Sequence, residues 1–398
     1  MRISRIKARS RLEKQLPKGS LSIRYIRQVG VNLLAFRQEK KALLTTTDDE
    51  LPTIIGECDA DYLDDMPPAM AVWLEETERE VENYQSKSKP KGIVKVKAAT
   101  TSDTEPPKER KTIAPLIKAV WGQGYPYNQG LVFDGQSVIV GCNAVAIGMI
   151  LLYWAKKGYR RGCLATKAYT SKTAKYKVPS LAPVTVFDFD NMTYSKPTTA
   201  TQKKAVADML RHIGYAVQSD YTSNLTTAYM ANDVTVLAKS LRMGTPKRIY
   251  ASSGYDKWEQ QIYDEIANER PVAVLGCTSS GGCHIFIVDG YNADTDMYHV
   301  NWGWGGSCNG YFRLSVLDAT ADRAYSSNKQ AIVGIGKGIH ILGDVNGNGK
   351  VTITDAMKVV ELAAQGSTDP KADVNSDGKV TTADANIIID HVLGNQKL

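Results

Sequence analysis

The sequence predicts an α+β chain in three segments, and three observations carry that reading. An uncharged run, GQSVIVGCNAVAIGMILLYWA (135–155), reads as one buried helix opening after Gly141. Short apolar runs bounded by turn residues flank it, at 30–62 and again towards 338, as strands do. Two Asp/Asn/Gly loops, DVNGNGKVTITDA (344–356) and DVNSDGKVTTADA (373–385), repeat near the carboxy terminus, each followed by a helical stretch.

In chain order, residues 1–40 hold 11 Lys/Arg against two Glu, whereas 341–398 hold five Lys against eight Asp/Glu. The chain's net charge of +7 is therefore concentrated at its amino end, and the middle is near balance. A nucleic-acid binder would carry the excess on its folded body, so that class is demoted. The basic amino terminus reads as a solvated face. No apolar segment follows it, so no signal peptide is predicted in this chain. VNLLAF, KALLTT and LPTIIGE within 30–62 read as a small strand meander, and AMAVWLEETEREVEN (69–83) places Met70, Trp73, Leu74 and Val81 on one helical stripe. SKSKPKGIVKVKAATTSDTEPPKERK (86–111) is rich in Lys, Pro, Ser and Thr and reads as an exposed, protease-accessible linker. Residues 113–338 form the long α+β stretch around the central helix. Its uncharged run is interrupted by glycines, Gln136, Ser137 and Asn143, so it is too broken to span a bilayer. Six cysteines form no CxxC pair, which argues against a structural zinc site and leaves the compartment open.

The carboxy-terminal repeat has calcium-loop spacing: oxygen side chains at positions 1, 3 and 5, Gly at 6 and a carboxylate at 12. The first loop offers Asp344, Asn346, Asn348 and Asp355, with the Lys350 carbonyl at position 7. The second offers Asp373, Asn375, Asp377 and Asp384, with the Lys379 carbonyl. A hard cation needs several oxygens on a sharply turned backbone, and three carboxylates against two predict tighter binding at the second loop. Asp in place of Glu at position 12, with Val351 and Val380 at position 8, resembles a dockerin over residues 343–394. That resemblance implies two structural Ca2+ ions and docking to a cohesin-like partner. Positions 10–11 differ between the repeats (Ile353-Thr354, Thr382-Ala383), so partner identity is left open.

A thiol nucleophile wants a helix amino terminus, where unsatisfied N–H groups favour thiolate, and Cys142 sits there. It also needs a base and an orienting group that are distant in sequence. His284 lies on a strand-like SSGGCHIFIVDG, and Asn301 follows in YHVNWGWGGSCNGYFRL beside Trp302 and Trp304, which can shield an Asn–imidazole bond. The order Cys, His, Asn suits a papain-like arrangement. Gln123, in AVWGQGYPYN, is placed to give an oxyanion its amide. His299 is a rival base but stands only two residues from Asn301. Cys163, in RGCLATKAY, lacks a following apolar helix. His212, His340 and His391 read as structural or uninvolved.

WGQGYPYN, VGCNAVAIGMILLYW, RHIGYAVQSDY and GGCHIFIVDGYNADTDMYHVNWGWGGSCNGYFRL resemble the streptopain family of bacterial cysteine peptidases over residues 113–337. The resemblance implies a two-lobed papain-like fold with Cys142 as nucleophile, His284 as base, Gln123 as oxyanion donor and Asn301 and Trp302 in support. It places Gly282, Cys283 and Trp304 by the substrate. It also implies a secreted or cell-surface zymogen acting on protein or peptide substrates and inhibited by its own prodomain. The segments are then a prodomain (1–97), a linker (98–112), the peptidase (113–338) and the dockerin-like module (341–398). A preference for an apolar residue two positions before the cut places maturation after Lys97 (Val96-Lys97), with Val94-Lys95 as competitor. Two positions depart from the family: Asn143 replaces a small apolar residue after the nucleophile, and Cys283 replaces Gly before the histidine, crowding the S1 side or forming a regulatory disulfide. The alternative functions are a non-catalytic calcium-dependent adhesin or scaffold and a transglutaminase-like acyltransferase. The usual third member of the latter is Asp rather than Asn.

Overall fold

The computed structural model describes the chain except residues 1–2, 17–22, 65, 87–109, 223–225, 229, 278–282, 316–328, 337–341, 347–350, 370–371 and 397–398. Both expected maturation bonds, Gly282, His340, Asn348 and Lys350 therefore lie outside the described residues. Eight α-helices occur among those described: α1 (Arg5–Gln15), α2 (Pro68–Ser86), α3 (Cys142–Lys156), α4 (Ala200–Ala216), α5 (Met230–Thr235), α6 (Tyr255–Ala267), α7 (Ile353–Ala364) and α8 (Thr382–Val392). No described helix is long and apolar enough to cross a membrane.

One ten-stranded sheet organises the molecule. Its strands are β1 (Arg24–Gln28), β2 (Leu33–Gln38), β3 (Lys41–Thr46), β4 (Gly56–Asp59), β5 (Gly244–Tyr250), β6 (Val272–Cys277), β7 (Cys283–Asn292), β8 (Met297–Asn301), β9 (Gly310–Phe312) and β10 (Gln330–Ile335). Their spatial order is β1-β2-β3-β4-β9-β8-β7-β6-β10-β5. The amino-terminal meander is thus not a separate sheet: β4 pairs antiparallel with β9, setting Cys58 opposite Gly310 and Gly56 opposite Phe312. Gly310 is required at this junction, because a Cβ there would stand 2.0 Å from the Glu57 carbonyl oxygen.

Alternation along the strands gives the sheet two buried faces. On β7, Ile285 and Ile287 point into the core built on α3 and α4, while Phe286 and Val288 point into a second core with Trp73 of α2 and Trp258 and Ile262 of α6. The apolar stripe predicted for 69–83 is real, and it covers the sheet face opposite the Cys142 helix. Trp73 Nε1 donates to the Arg313 carbonyl (2.9 Å), and its ring lies 5.0 Å from Phe312 and 6.5 Å from Trp302. Further along α2, Glu80 meets Lys329 at 2.9 Å with both side chains almost wholly buried. The basic amino terminus forms α1, which buries Ala8 and Leu12 against Ile23, Leu34, Phe36 and Leu43 and leaves its charged residues outward.

At the carboxy end α7 and α8 pack around Val345, Val359, Val374 and Ile388. Asp355 and Asp384, the twelfth residues of the two loops, serve as the third helical residue in capping boxes with Thr352 and Thr381. Each carboxylate therefore starts a helix while facing its own loop.

Candidate active site

Gly141 has φ +96, and a Cβ there would sit 2.7 Å from Thr226 Cγ2, so only glycine brings the chain into α3 at this angle. Cys142 follows as the first residue of α3, 8% exposed. Its sulfur is served by the backbone N–H of Ile285 on β7, the residue after His284, and by the N–H groups of Asn143 and of Cys142 itself. Burial nevertheless holds the thiol above its usual pKa, opposing these donors and the helix amino terminus. His284 is the second residue of β7, with an imidazole held below its usual pKa by burial. Among the described residues it makes no hydrogen bond to Cys142 or Asn301, and burial disfavours the charged form of both groups.

The supporting blocks are locked to one another around residues 119–123. Asn301 Nδ2 donates to the Ala119 carbonyl (2.8 Å), and its Oδ1 accepts from Gly303 N–H (3.1 Å). The Gly305 N–H donates to the Trp121 carbonyl, and the Val140 N–H donates to the Gln123 carbonyl, tying Gln123 to the approach to Cys142. Gln123 is buried. Trp302, also buried, donates from Nε1 to the Cys308 carbonyl (2.9 Å) and packs 5.0 Å from both Phe286 and Phe312. In this state Asn301 and Trp302 brace the loop instead of holding the imidazole. Trp304 is partly exposed on the same loop.

Cys283 is joined to Cys277 by a disulfide between β7 and β6, immediately before His284. The α2 helix clasps that corner: Glu76 Oε1 accepts from Cys277 N–H (3.1 Å), and Arg79 donates to the Cys277 carbonyl (2.9 Å). Burial raises the Glu76 pKa. The amino-terminal region therefore grips the strand end from which the histidine emerges.

The rivals are otherwise engaged. His299 Nδ1 lies 2.6 Å from the buried Asp289, whose other oxygen accepts from Ile117 N–H. His212 Nε2 is 3.2 Å from the Leu164 carbonyl. Burial pushes the Cys163 thiol up to about 12. Cys58 and Cys308, either side of the β4–β9 junction, are buried thiols in hydrogen-bond contact, and that contact with burial raises the Cys58 pKa.

Sequence reasoning flagged Asn143 but missed its partner. Asn143 Nδ2 donates to Asp233 Oδ2 of α5 (2.5 Å), and its Oδ1 faces Cys142 Sγ (3.4 Å). Asp233 lies in AYMANDVT, a polar stretch with no pattern to single it out.

In the second carboxy-terminal loop, Gly378 has φ +86. Asp373 accepts from the N–H groups of Asp377 (3.1 Å) and Gly378 (3.0 Å), and Asp384 accepts from those of Val374, Asn375 and Thr381. Among the described residues no group of three His, Cys, Asp or Glu side chains closes on one point. The oxygen-only donor set still fits a hard cation, because burial raises the Asp373 pKa and the charges of Asp384 and Asp377 add to it. Arg242 of the peptidase region, 11% exposed, donates to the Asp373 carbonyl (3.0 Å) and lies 3.7 Å from its carboxylate.

Comparison with known proteins agrees with this layout. The family model described as Peptidase C10 matches residues 121–312, and the dockerin type I domain model matches 342–393. The thiol protease/hemagglutinin PrtT of Porphyromonas gingivalis is 28% identical over 320 residues, covering 74% of this chain and 35% of that protein. Streptopain of Streptococcus pyogenes is 28% identical over 255 residues, covering 56% of this chain and 63% of that protein. The chain thus spans about a third of the one relative and under two thirds of the other. Among solved structures, a prointerpain A fragment from Prevotella intermedia superposes with TM-score 0.66 at 21% identity, covering 79% of this chain and 98% of that one. Active interpain A gives 0.50 at 24%, covering 59% and 100%. These two likenesses establish the fold, and the prointerpain match takes in a fifth more of this chain.

Proposed function

From membership of the Peptidase C10 family, carried by residues 121–312, and the dockerin type I domain at 342–393, we propose that this chain is the latent form of a cysteine endopeptidase working outside the cell or at its surface. The observation that carries the reading is Cys142 at the amino terminus of α3 with its sulfur against the N–H next to His284, while Gln123 and the Asn301-Trp302 loop are tied to the same segment. In the reaction His284 takes the proton from Cys142, and the thiolate attacks a peptide carbonyl. The tetrahedral oxyanion is held by Cys142 N–H and the Gln123 amide. Protonated His284 then releases the amine, and water hydrolyses the thioester.

Latency fits the lack of a Cys142–His284 hydrogen bond among the described residues and the α2 clasp on Cys277; residues 1–97 act as prodomain, 98–112 as linker. Release of α2 frees the His284 strand end, letting the imidazole reach the sulfur. Asn301 and Trp302 then support it, and Gly282, Cys283 and Trp304 flank the substrate. Cleavage after Lys97, or after Lys95, separates the parts. By loop spacing, calcium would be held by Asp344, Asn346, Asn348, Asp355 and the Lys350 carbonyl in one loop, and by Asp373, Asn375, Asp377, Asp384 and the Lys379 carbonyl in the other. The ion would supply structural charge neutralisation and no catalytic step. The module would dock to a cohesin-like partner, and Ile353, Met357 and Val360 stand exposed along α7 for that purpose.

Incubating the full chain with casein, reductant and calcium, and sequencing the new amino termini, tests this. Casein and linker cleavage that disappear in Cys142→Ala support it. A processed chain with an intact thiol that leaves casein uncut refutes it and leaves the scaffold role.

A further inference from the structure

The residue after the nucleophile is an asparagine with both ends engaged. Asn143 is 4% exposed; its Nδ2 donates to Asp233 Oδ2 (2.5 Å), and its Oδ1 lies 3.4 Å from Cys142 Sγ, which donates to it. A side-chain amide can present either end to the sulfur. A carboxylate at the far side decides which, because a flipped amide would set its oxygen against a carboxylate oxygen. Asp233 is wholly buried, and its second oxygen has no partner. Such a group costs free energy that an apolar residue would not, so its place beside the nucleophile asks for a role.

We infer that Asp233 is a positioning residue for the nucleophile: its carboxylate orients the Asn143 amide so that Oδ1 accepts from Cys142 Sγ–H, holding the sulfur as a thiol until His284 draws the proton away. When Asp233 takes up a proton, the amide is free to turn and offer Nδ2–H to the sulfur, which favours thiolate. Burial raises Asp233 to about 7, so this exchange falls near neutrality. The groups set against Asp233 are Asn143 and, beyond it, Cys142. Those set against Cys142 are the N–H groups of Ile285, Asn143 and Cys142, with Asp233 the ionisable member. The inference rests on Cys142 being the nucleophile, but its test does not use peptidase activity.

The test is the rate of Cys142 alkylation by iodoacetamide in the full chain from pH 5 to 9, read by mass spectrometry of the Cys142 peptide. Thiolate sulfur displaces iodide, so the rate follows the thiolate fraction. Asp233→Asn should raise it about tenfold at pH 8, one unit of thiol pKa, and the ratio to the parent should fall towards one below pH 6. Asp233→Glu, which keeps the carboxylate, should restore the parent profile. In an Asn143→Ala background, Asp233→Asn should add much less than tenfold, only the direct effect of the Asp233 charge on Cys142. A ratio of one throughout, or the same increase without Asn143, would overturn the inference. If Asp233→Asn does not fold, the parent's profile must show an inflection near pH 7 beyond simple thiol titration that Asn143→Ala diminishes, or the inference fails. Failure of casein cleavage would remove the peptidase reading and leave this profile unaffected.

Discussion

The ion pair between Glu80 and Lys329 offers a quantitative test of how firmly α2 is held. Glu80 also accepts from Ser315 Oγ (2.9 Å), and Lys329 also donates to the Leu314 carbonyl; the two side chains are 2% and 5% exposed. Glu80→Ala strands a buried ammonium, at a cost of about 3–5 kcal/mol. If α2 opens as a local unit, that difference speeds hydrogen exchange of its amides roughly a hundred- to several-thousand-fold. Among the described residues, Glu80→Leu with Lys329→Met removes both charges and withdraws one partner each from Ser315 Oγ and the Leu314 carbonyl, about 1–3 kcal/mol. The double variant should therefore exchange more slowly than the single one. Exchange mass spectrometry on a Cys142→Ala background, where no self-cleavage intervenes, reads both. A single substitution worth under about 1 kcal/mol, or a double variant worse than the single, would show that burial does not set the strength of this contact.

Three further outcomes are expected. Asp233, raised from 3.8 to about 7, keeps in the folded state a proton that the unfolded chain has already released. Its stabilising contribution is complete below about pH 4 and lost as pH rises through about 7, at most about 4 kcal/mol, so urea titrations should show Asp233→Asn with a flatter pH dependence than the parent. Because Cys58 and Cys308 touch across the β4–β9 junction, diamide oxidation followed by cutting within 87–109 should leave the amino-terminal fragment attached on a non-reducing gel. Cys58→Ser should release it; attachment that persists would contradict the pairing. Finally, Arg242 brings positive charge to Asp373, opposing the advantage that three carboxylates give the second loop. Calorimetry should find tighter calcium at that loop in Arg242→Ala than in the parent, and unchanged affinity would argue that the guanidinium swings clear.

Much of this architecture was readable from pattern alone. Gly141 before an uncharged run marked α3, alternation marked β7, and the stripe Met70, Trp73, Leu74 and Val81 marked α2, because each is a local periodicity imposed by backbone geometry. Spacing likewise pointed to Cys142, His284 and Gln123. What escaped is long-range pairing. Nothing in GECD says that Cys58 will face Gly310, since register with a partner 252 residues away is set by packing of the whole sheet. Asp233 was invisible for the same reason: its meaning comes from Asn143, 90 residues earlier. Asn301 shows the opposite limit: its motif singled it out as a support for the imidazole, while its present hydrogen bonds serve the Ala119 segment.

The sheet shared through β4 and β9 makes severing the linker different from dissociation. A cut between 86 and 110 breaks one peptide bond while the β4–β9 ladder, Trp73 over Phe312 and the Glu80–Lys329 contact all persist. Detachment would then open a three-residue strand edge and bare Phe286, Trp302 and Phe312 to water at once. A nicked chain should therefore behave as a tight two-fragment complex, with the rate of activity gain set by destruction or exchange of the outgoing piece.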